Sequence, residues 1–252
     1  MRLRSIVLGL ACLLFAVPAG AAPKPYRVSL VGDEFDGQRW HTGVLIELDE
    51  GWKTYWRMPG DSGVPPEFTW KTSAPSHVEV SFPVPTRFAD ASGETVGYKH
   101  QVLFPVSVEA GTAAGVRLDL DLFFAICRDV CIPARADAAI ELGPLLRDAD
   151  GAARVTDAIK AVPLPGSPVT AATLTMRDGK PLLELGLDGK ADDIFIETDG
   201  SAYFHAPQFS ADGRRAVIAV GNVDDPARLK GAALRLTLKT GATGLEQTIV
   251  LP

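Results

Sequence analysis

Cys127 and Cys131 stand four positions apart in the run Ile126-Cys127-Arg128-Asp129-Val130-Cys131-Ile132-Pro133. The chain has three cysteines, and the third, Cys12, falls in a segment expected to be removed on export. Two thiols at this spacing support three chemistries: a structural disulfide, electron exchange with another thiol pair, or thiolate ligation of a metal. Loop-closure entropy bears on the first. A bridge closing about five residues stabilises a fold by on the order of 2 kcal/mol, and one joining distant strands by about twice that. A chain of this length also buries a sufficient core without such a staple. The spacing therefore favours redox exchange, since exposed bridges are the more readily reduced ones.

The metal alternative is a copper-binding or copper-stress protein using the same cysteines, because thiolate and imidazole both suit copper. The four histidines, His41, His77, His100 and His205, show no ligand spacing, so no metal ligand set is assigned. A third alternative is a non-catalytic β-sandwich interaction module in which the disulfide is structural. Other reaction classes lack their residues. There is no Gly-x-Ser-x-Gly elbow, HExxH, phosphate-binding loop or dinucleotide glycine motif, which argues against hydrolase or nucleotide chemistry. No cofactor is expected. Asp61-Ser62-Gly63 reads as a turn.

The elements that must hold the cysteines are strands. Leu118, Leu120, Leu122, Phe124 and Ile126 alternate with Asp119, Asp121, Phe123, Ala125 and Cys127, the period of a half-buried strand. A strand-like pattern resumes at Ala134 and runs through Ile140 and Leu142. Arg128-Asp129-Val130 then connects two antiparallel strands, with the cysteines at the base of the turn. Opposed Cα atoms in such a pair lie ~4.5–5.5 Å apart, within reach of a disulfide. In the turn, Arg128 and Asp129 would pull a thiol pKa in opposite directions, the cation lowering it and the carboxylate raising it.

Further short strands surround this hairpin. Thr42 to Leu48, Val78 to Phe82 and Val102 to Val108 are apolar or alternating and are bounded by Gly, Pro and Asp. One helix is predicted from about Asp150 to Val162, with Asp148 or Asp150 as cap and Val155, Ile159 and Val162 on one face. It leads into Val162-Pro163-Leu164-Pro165-Gly166-Ser167-Pro168, a stiff boundary segment. Beyond it, Leu174-Thr175-Met176 and Leu182 to Leu187 flank a turn signal at Arg177-Asp178-Gly179-Lys180, and Leu234 to Leu238 and Thr248 to Leu251 alternate again. The fold class expected is mainly β, with two sandwich domains. The predicted divisions are residues 1–21, 22–145, a helix and linker over 146–168, and 169–252. The last division has no cysteine and reads as a structural or docking domain.

Residues 1–21 read as a signal peptide cleaved near Ala21. Arg2 and Arg4 precede an apolar run from Ile6 to Val17, and Ala19-Gly20-Ala21 has the small-residue cleavage pattern. Later apolar runs have strand length, short of the ~20 residues a membrane helix needs, so no direct membrane insertion is expected. Removing Arg2 and Arg4 leaves 23 basic against 31 acidic side chains, a net charge of −8. That balance argues against nucleic acid as a partner.

With the cysteines placed on a hairpin, the chain resembles the N-terminal periplasmic domain of the DsbD thiol:disulfide interchange family, and most of all its ScsB-like branch. The likeness is carried by the run from Gly51-Trp52-Lys53-Thr54-Tyr55-Trp56-Arg57 to Gly63, then Pro65-Pro66, Phe68-Thr69-Trp70, Gly97-Tyr98, Val102-Leu103-Phe104-Pro105-Val106 and the cysteine run itself. The resemblance implies an immunoglobulin-like sandwich and interchange activity of the protein-disulfide reductase kind. Cys127 and Cys131 would be the catalytic pair. The implied partners are redox proteins: a membrane electron donor and a periplasmic thioredoxin-fold acceptor. By that analogy Cys131 forms the mixed disulfide and Cys127 resolves it, and the location is the periplasm. Full-length family members carry a transmembrane domain and a C-terminal thioredoxin-like domain. Neither pattern occurs before Pro252, so a separate protein is expected to supply the electrons. The family's cysteines are wider apart than these, and a small cap loop covers them. The segment Gly97-Tyr98-Lys99-His100-Gln101 is the candidate cap, with Tyr98 and His100 as its shielding side chains. Trp52, Tyr55, Trp56 and Trp70 are expected in core and edge packing.

Overall fold

The computed structural model describes residues 24–60, 63–90, 93–110, 115–143, 148–200, 202–223 and 225–252. The expected signal peptide, Cys12, and the turn residues Asp61 and Ser62 lie outside them. The fold is mainly β and consists of β-sandwiches.

Ten strands build the first sandwich: β1 (Tyr26–Phe35), β2 (Trp40–Leu48), β3 (Lys53–Gly60), β4 (Glu67–Thr72), β5 (His77–Val80), β6 (Thr86–Asp90), β7 (Gly93–Lys99), β8 (Gln101–Glu109), β9 (Val116–Cys127) and β10 (Cys131–Leu142). One sheet has the order β1-β2-β8-β5. The other runs β10-β9-β3-β7-β6, with β4 also pairing β9. The alternation read from the sequence sets the faces. Leu118, Leu120, Leu122, Phe124 and Ile126 of β9 point into the core between the sheets and meet Val44, Ile46, Phe104, Val106 and Val108 from β2 and β8. Burying one such aliphatic side chain contributes about 1.5–3 kcal/mol, so this stripe fixes the register of β9. A slip by one residue would send Asp119 and Asp121 inward.

The helix α1 (Ala149–Lys160) packs on the first sandwich, against β1, β2 and β8. Asp148 caps it by accepting from the Gly151 amide at 2.9 Å, and Val155 is the side chain it buries. A short strand, β11 (Leu164–Pro165), leads into β12 (Val169–Arg177), β13 (Lys180–Leu187), β14 (Asp193–Thr198), β15 (Tyr203–Phe204), β16 (Gln208–Phe209), β17 (Arg215–Gly221), β18 (Ala233–Thr240) and β19 (Thr243–Val250). These form sheets of order β11-β19-β18-β14 and β12-β13-β17-β15, with β16 on β17. Their core is separate, centred on Leu183, Leu185, Ile194, Ile218, Leu234 and Leu236.

Charge and one aromatic ring join the two sandwiches. Phe195 of β14 leaves its own sheet's core to pack in the first, 5.6 Å from the Trp56 ring. Beside it, Arg57 of β3 donates from Nε to both carboxylate oxygens of Glu197 at 2.9 Å and from Nη2 to Glu246. Arg87 of β6 binds Asp193 at 3.1 Å and the Ile194 carbonyl at 2.9 Å, and its remaining side holds Glu94 at 2.6 Å. Burial alone would lower the pKa of either guanidinium, but the carboxylates opposite outweigh it and both are held above the ordinary value.

Candidate redox site

The hairpin carrying the cysteines is a continuous ladder. β10 pairs β9 antiparallel from Cys131↔Cys127 to Leu142↔Val116 without a register shift. The cysteines are the last opposed pair before the turn. Their sulfurs are bonded to each other, with Cα atoms 4.0 Å apart.

The two sulfurs have unlike surroundings. Cys127 is 1% exposed, in a small cluster with Tyr55, Ala125 and Val64 on the sheet face opposite the main core. Cys131 is exposed, and the apolar side chains on either side of it are exposed too, Val130 at 68% and Ile132 at 37%. The difference follows from topology. β9 is an interior strand whose far side at Cys127 is covered by Lys53 of β3, whereas β10 is the last strand of its sheet.

Tyr55 meets the outer sulfur. Its hydroxyl lies 3.1 Å from Cys131 Sγ, and because a disulfide sulfur carries no hydrogen, the hydroxyl donates. Strand parity places it there, since Lys53 pairs Cys127 and Tyr55, two residues on, shares that face. The ring is held from the other side by the chain at Gly63. There φ is +140°, and a Cβ would come within 2.5 Å of the tyrosine ring, so only glycine lets the backbone lie against it.

The turn residues are arranged differently from the sequence expectation. Arg128 and Asp129 pair with each other at 3.1 Å, both exposed, and the Arg128 guanidinium sits 5.3 Å from the centre of the Trp52 ring. Arg128 is thus engaged by a neighbouring carboxylate and an indole, which weakens any one-sided pull on a thiol.

The expected cap segment stands elsewhere. Tyr98 lies on β7 opposite Thr54, not on the face of Tyr55, and its side chain belongs to the main core. Its ring meets Phe104 at 5.5 Å, and its hydroxyl donates to the Pro83 carbonyl at 2.7 Å. Burial pushes this phenol well above its ordinary pKa, with Arg57 pulling weakly the other way. His100 occupies the single-residue turn between β7 and β8 at φ +64° and is exposed. The residues over the disulfide are instead Tyr55 and Val64. Gly97, part of the expected cap segment, is a mid-strand glycine across which the Thr54 carbonyl passes, within 1.9 Å of where a Cβ would stand.

Two residues at the site were not assigned from the sequence. Tyr55 was taken as packing, and Lys53 was not singled out. Lys53 is 4% exposed, sits directly across from Cys127, and donates to Thr95 Oγ1 at 2.8 Å. Both lie on a strand whose pairing with β9 is non-local, so their common face became visible only with the register. Among the described residues, no three His, Cys, Asp or Glu side chains are grouped to hold a metal ion. No helix among them is long and apolar enough to cross a membrane.

The disulfide lies across the last pair of a hairpin in a β-sandwich, and a family match and a structural likeness together support a thiol:disulfide interchange-related module. Residues 27–141 match the family described as "Thiol:disulfide interchange protein DsbD, N-terminal". Among solved structures, the chain is similar to one described as "Crystal structure of the N-terminal periplasmic domain of ScsB from Proteus mirabilis". The TM-score is 0.67 at 22% identity, over 90% of this chain and 91% of that one. The shared fold therefore extends through both sandwiches. No curated protein matches the chain in sequence.

Proposed function

We propose that this protein is a periplasmic thiol:disulfide exchange module that passes electrons through Cys127 and Cys131 to thioredoxin-fold partners. The observation that carries the reading is the asymmetric pair: an exposed sulfur bonded to a buried one at the end of a rigid hairpin, in a DsbD-type domain. A separate thiol donor, membrane-embedded or soluble, reduces the disulfide and leaves two thiols.

Cys131 is the attacking group, since a partner's sulfur can reach only the exposed member of the pair. Its thiolate attacks one sulfur of the partner's disulfide and releases the other as a thiolate. The Cys127 thiolate then attacks Cys131 Sγ and expels the partner's remaining thiolate. The Cys127–Cys131 bond forms again, the partner leaves as a dithiol, and two electrons have moved. Tyr55 stabilises negative charge on Cys131 in the reduced state.

The test is trapping. Reduced Cys127→Ser protein is expected to form a stable mixed disulfide through Cys131 with an oxidised thioredoxin, whereas Cys131→Ser forms none. Equal capture by both variants would overturn the assigned roles. A reduction potential of the pair far below about −300 mV would place it among inert structural bridges and refute the shuttle.

A further inference from the structure

β10 is the end strand of its sheet, and among the described residues no strand pairs with its outer side, although β1 of the other sheet packs beside it. The backbone parity on that side can be read from Arg135, whose carbonyl accepts from the Tyr26 hydroxyl at 3.0 Å and from Lys24 at 3.4 Å, both outside the sheet. Residues 131, 133 and 135 therefore direct their main-chain groups outward, and 132 and 134 direct theirs to β9. Two further observations agree. Pro133, which has no N–H, occupies an outward position, where a strand tolerates proline. Cys127, the register partner of Cys131, has its other neighbour in Lys53 of β3, and the narrow Cα separation of 4.0 Å belongs to a pair that exchanges no main-chain bonds.

Cys131 thus presents its N–H and C=O at the sheet edge immediately beside its exposed sulfur. From Arg135 onward, Lys24 and Tyr26 cover the edge, so the open stretch is short. An open edge is a template for another chain, and sheet proteins normally block it. Here the cover at Arg135 leaves the edge at the reactive residue open among the described residues.

We infer that this edge is a docking strand: an extended main-chain segment of the redox partner pairs with the N–H and C=O of Cys131 and aligns the two sulfurs. The inference rests on the exchange function proposed above. Pro133 limits the pairing to one donor, at Cys131, with acceptors at Cys131 and Pro133, and Val130 and Ile132 supply apolar contact on either side. Recognition through backbone groups tolerates different partner sequences, while the fixed edge keeps the approach of the sulfurs constant.

The experiment compares two adducts of the full chain carrying Cys127→Ser, both made through Cys131. One is with a thioredoxin lacking its second active-site cysteine, the other with 2-mercaptoethanol, which has no main chain. Amide hydrogen exchange is read by NMR at Cys131, with Ile132, bonded to β9, as the internal reference. Docking predicts at least about tenfold slower exchange at Cys131 in the thioredoxin adduct, equivalent to about 1.4 kcal/mol of protection, with Ile132 unchanged. Equal exchange at Cys131 in the two adducts would overturn the docking strand and leave the exchange function standing. A mercaptoethanol adduct without any thioredoxin adduct would remove the exchange function, and the docking strand with it.

Discussion

Replacing Tyr55 with phenylalanine removes one hydroxyl 3.1 Å from Cys131 Sγ and keeps the ring against which the Gly63 backbone lies. In the oxidised protein that hydroxyl donates to a neutral sulfur, a bond at the weak end of the ~0.5–1.5 kcal/mol range for hydrogen bonds in proteins. After reduction and ionisation it donates to a thiolate, and bonds to charged groups contribute about 1.5–3 kcal/mol. The difference, about 1–2 kcal/mol, favours the reduced, ionised state. One pKa unit corresponds to 1.36 kcal/mol, so Tyr55→Phe is expected to raise the Cys131 thiol pKa by about one unit. In a two-electron couple about 30 mV corresponds to 1.4 kcal/mol, so the reduction potential should become more negative by roughly 20–45 mV wherever the thiolate is populated. Equilibration in glutathione buffers reads the potential, and thiolate ultraviolet absorbance against pH reads the pKa. Thermal unfolding should barely move, because the packing surface is retained. If potential and pKa both stay at their wild-type values while the fold is intact, Tyr55 has no part in stabilising charge on the sulfur.

Two further outcomes concern stability. In the double variant Cys127→Ser/Cys131→Ser, the closed loop of about five residues limits the loss to about 2 kcal/mol, or about 4–8 °C in the melting temperature of a chain this size. A much larger loss in thermal unfolding would make the bridge a structural staple. Arg57→Met leaves Glu197 and Glu246 facing a neutral side chain, with Arg235 still 2.7 Å from Glu246. About 2–4 kcal/mol should be lost in urea unfolding, with a second transition emerging as the sandwiches part; an unchanged single transition would refute the clamp. The pH dependence has a definite sign. Burial pushes the Glu246 carboxyl up, but hydrogen bonds from Arg235 and Arg57 and the charge of Arg57 hold it below the ordinary value. A depressed carboxylate stabilises the fold above its unfolded pKa and loses that contribution as pH falls through the folded one, so acid unfolding should be less steep in Arg57→Met.

The hairpin was legible because it is local. Five alternating apolar residues, a three-residue connection and a resumed strand pattern specify β9, β10 and the opposition of their cysteines without distant information. The same holds for the paired strands around Asp178-Gly179, where both residues take positive φ. What surrounds the sulfurs was not legible in this way. Tyr55, Lys53 and Val64 reach Cys127 and Cys131 only because β3 runs beside β9, a contact between residues about seventy positions apart that local spacing does not encode. Gly97-Tyr98 misled for a related reason. The resemblance implied a cap loop with Tyr98 as its shield, whereas here Gly97 makes room for the Thr54 carbonyl and Tyr98 packs in the core. The clamp residues Arg57, Arg87, Glu197 and Glu246 each look like ordinary surface charges until the second sandwich is placed against the first.

The uninterrupted β9–β10 ladder has a kinetic consequence. Its pairing and the buried stripe of β9 hold the two thiols opposite each other whether or not they are bonded. Reduction therefore does not release Cys127 to wander. In the exchange proposed above, Cys127 would then be in place to resolve a mixed disulfide at Cys131 at an effective molarity that no free thiol in solution can match. On that proposal each encounter would be brief, the partner being discharged before an outside thiol intercepts the mixed disulfide.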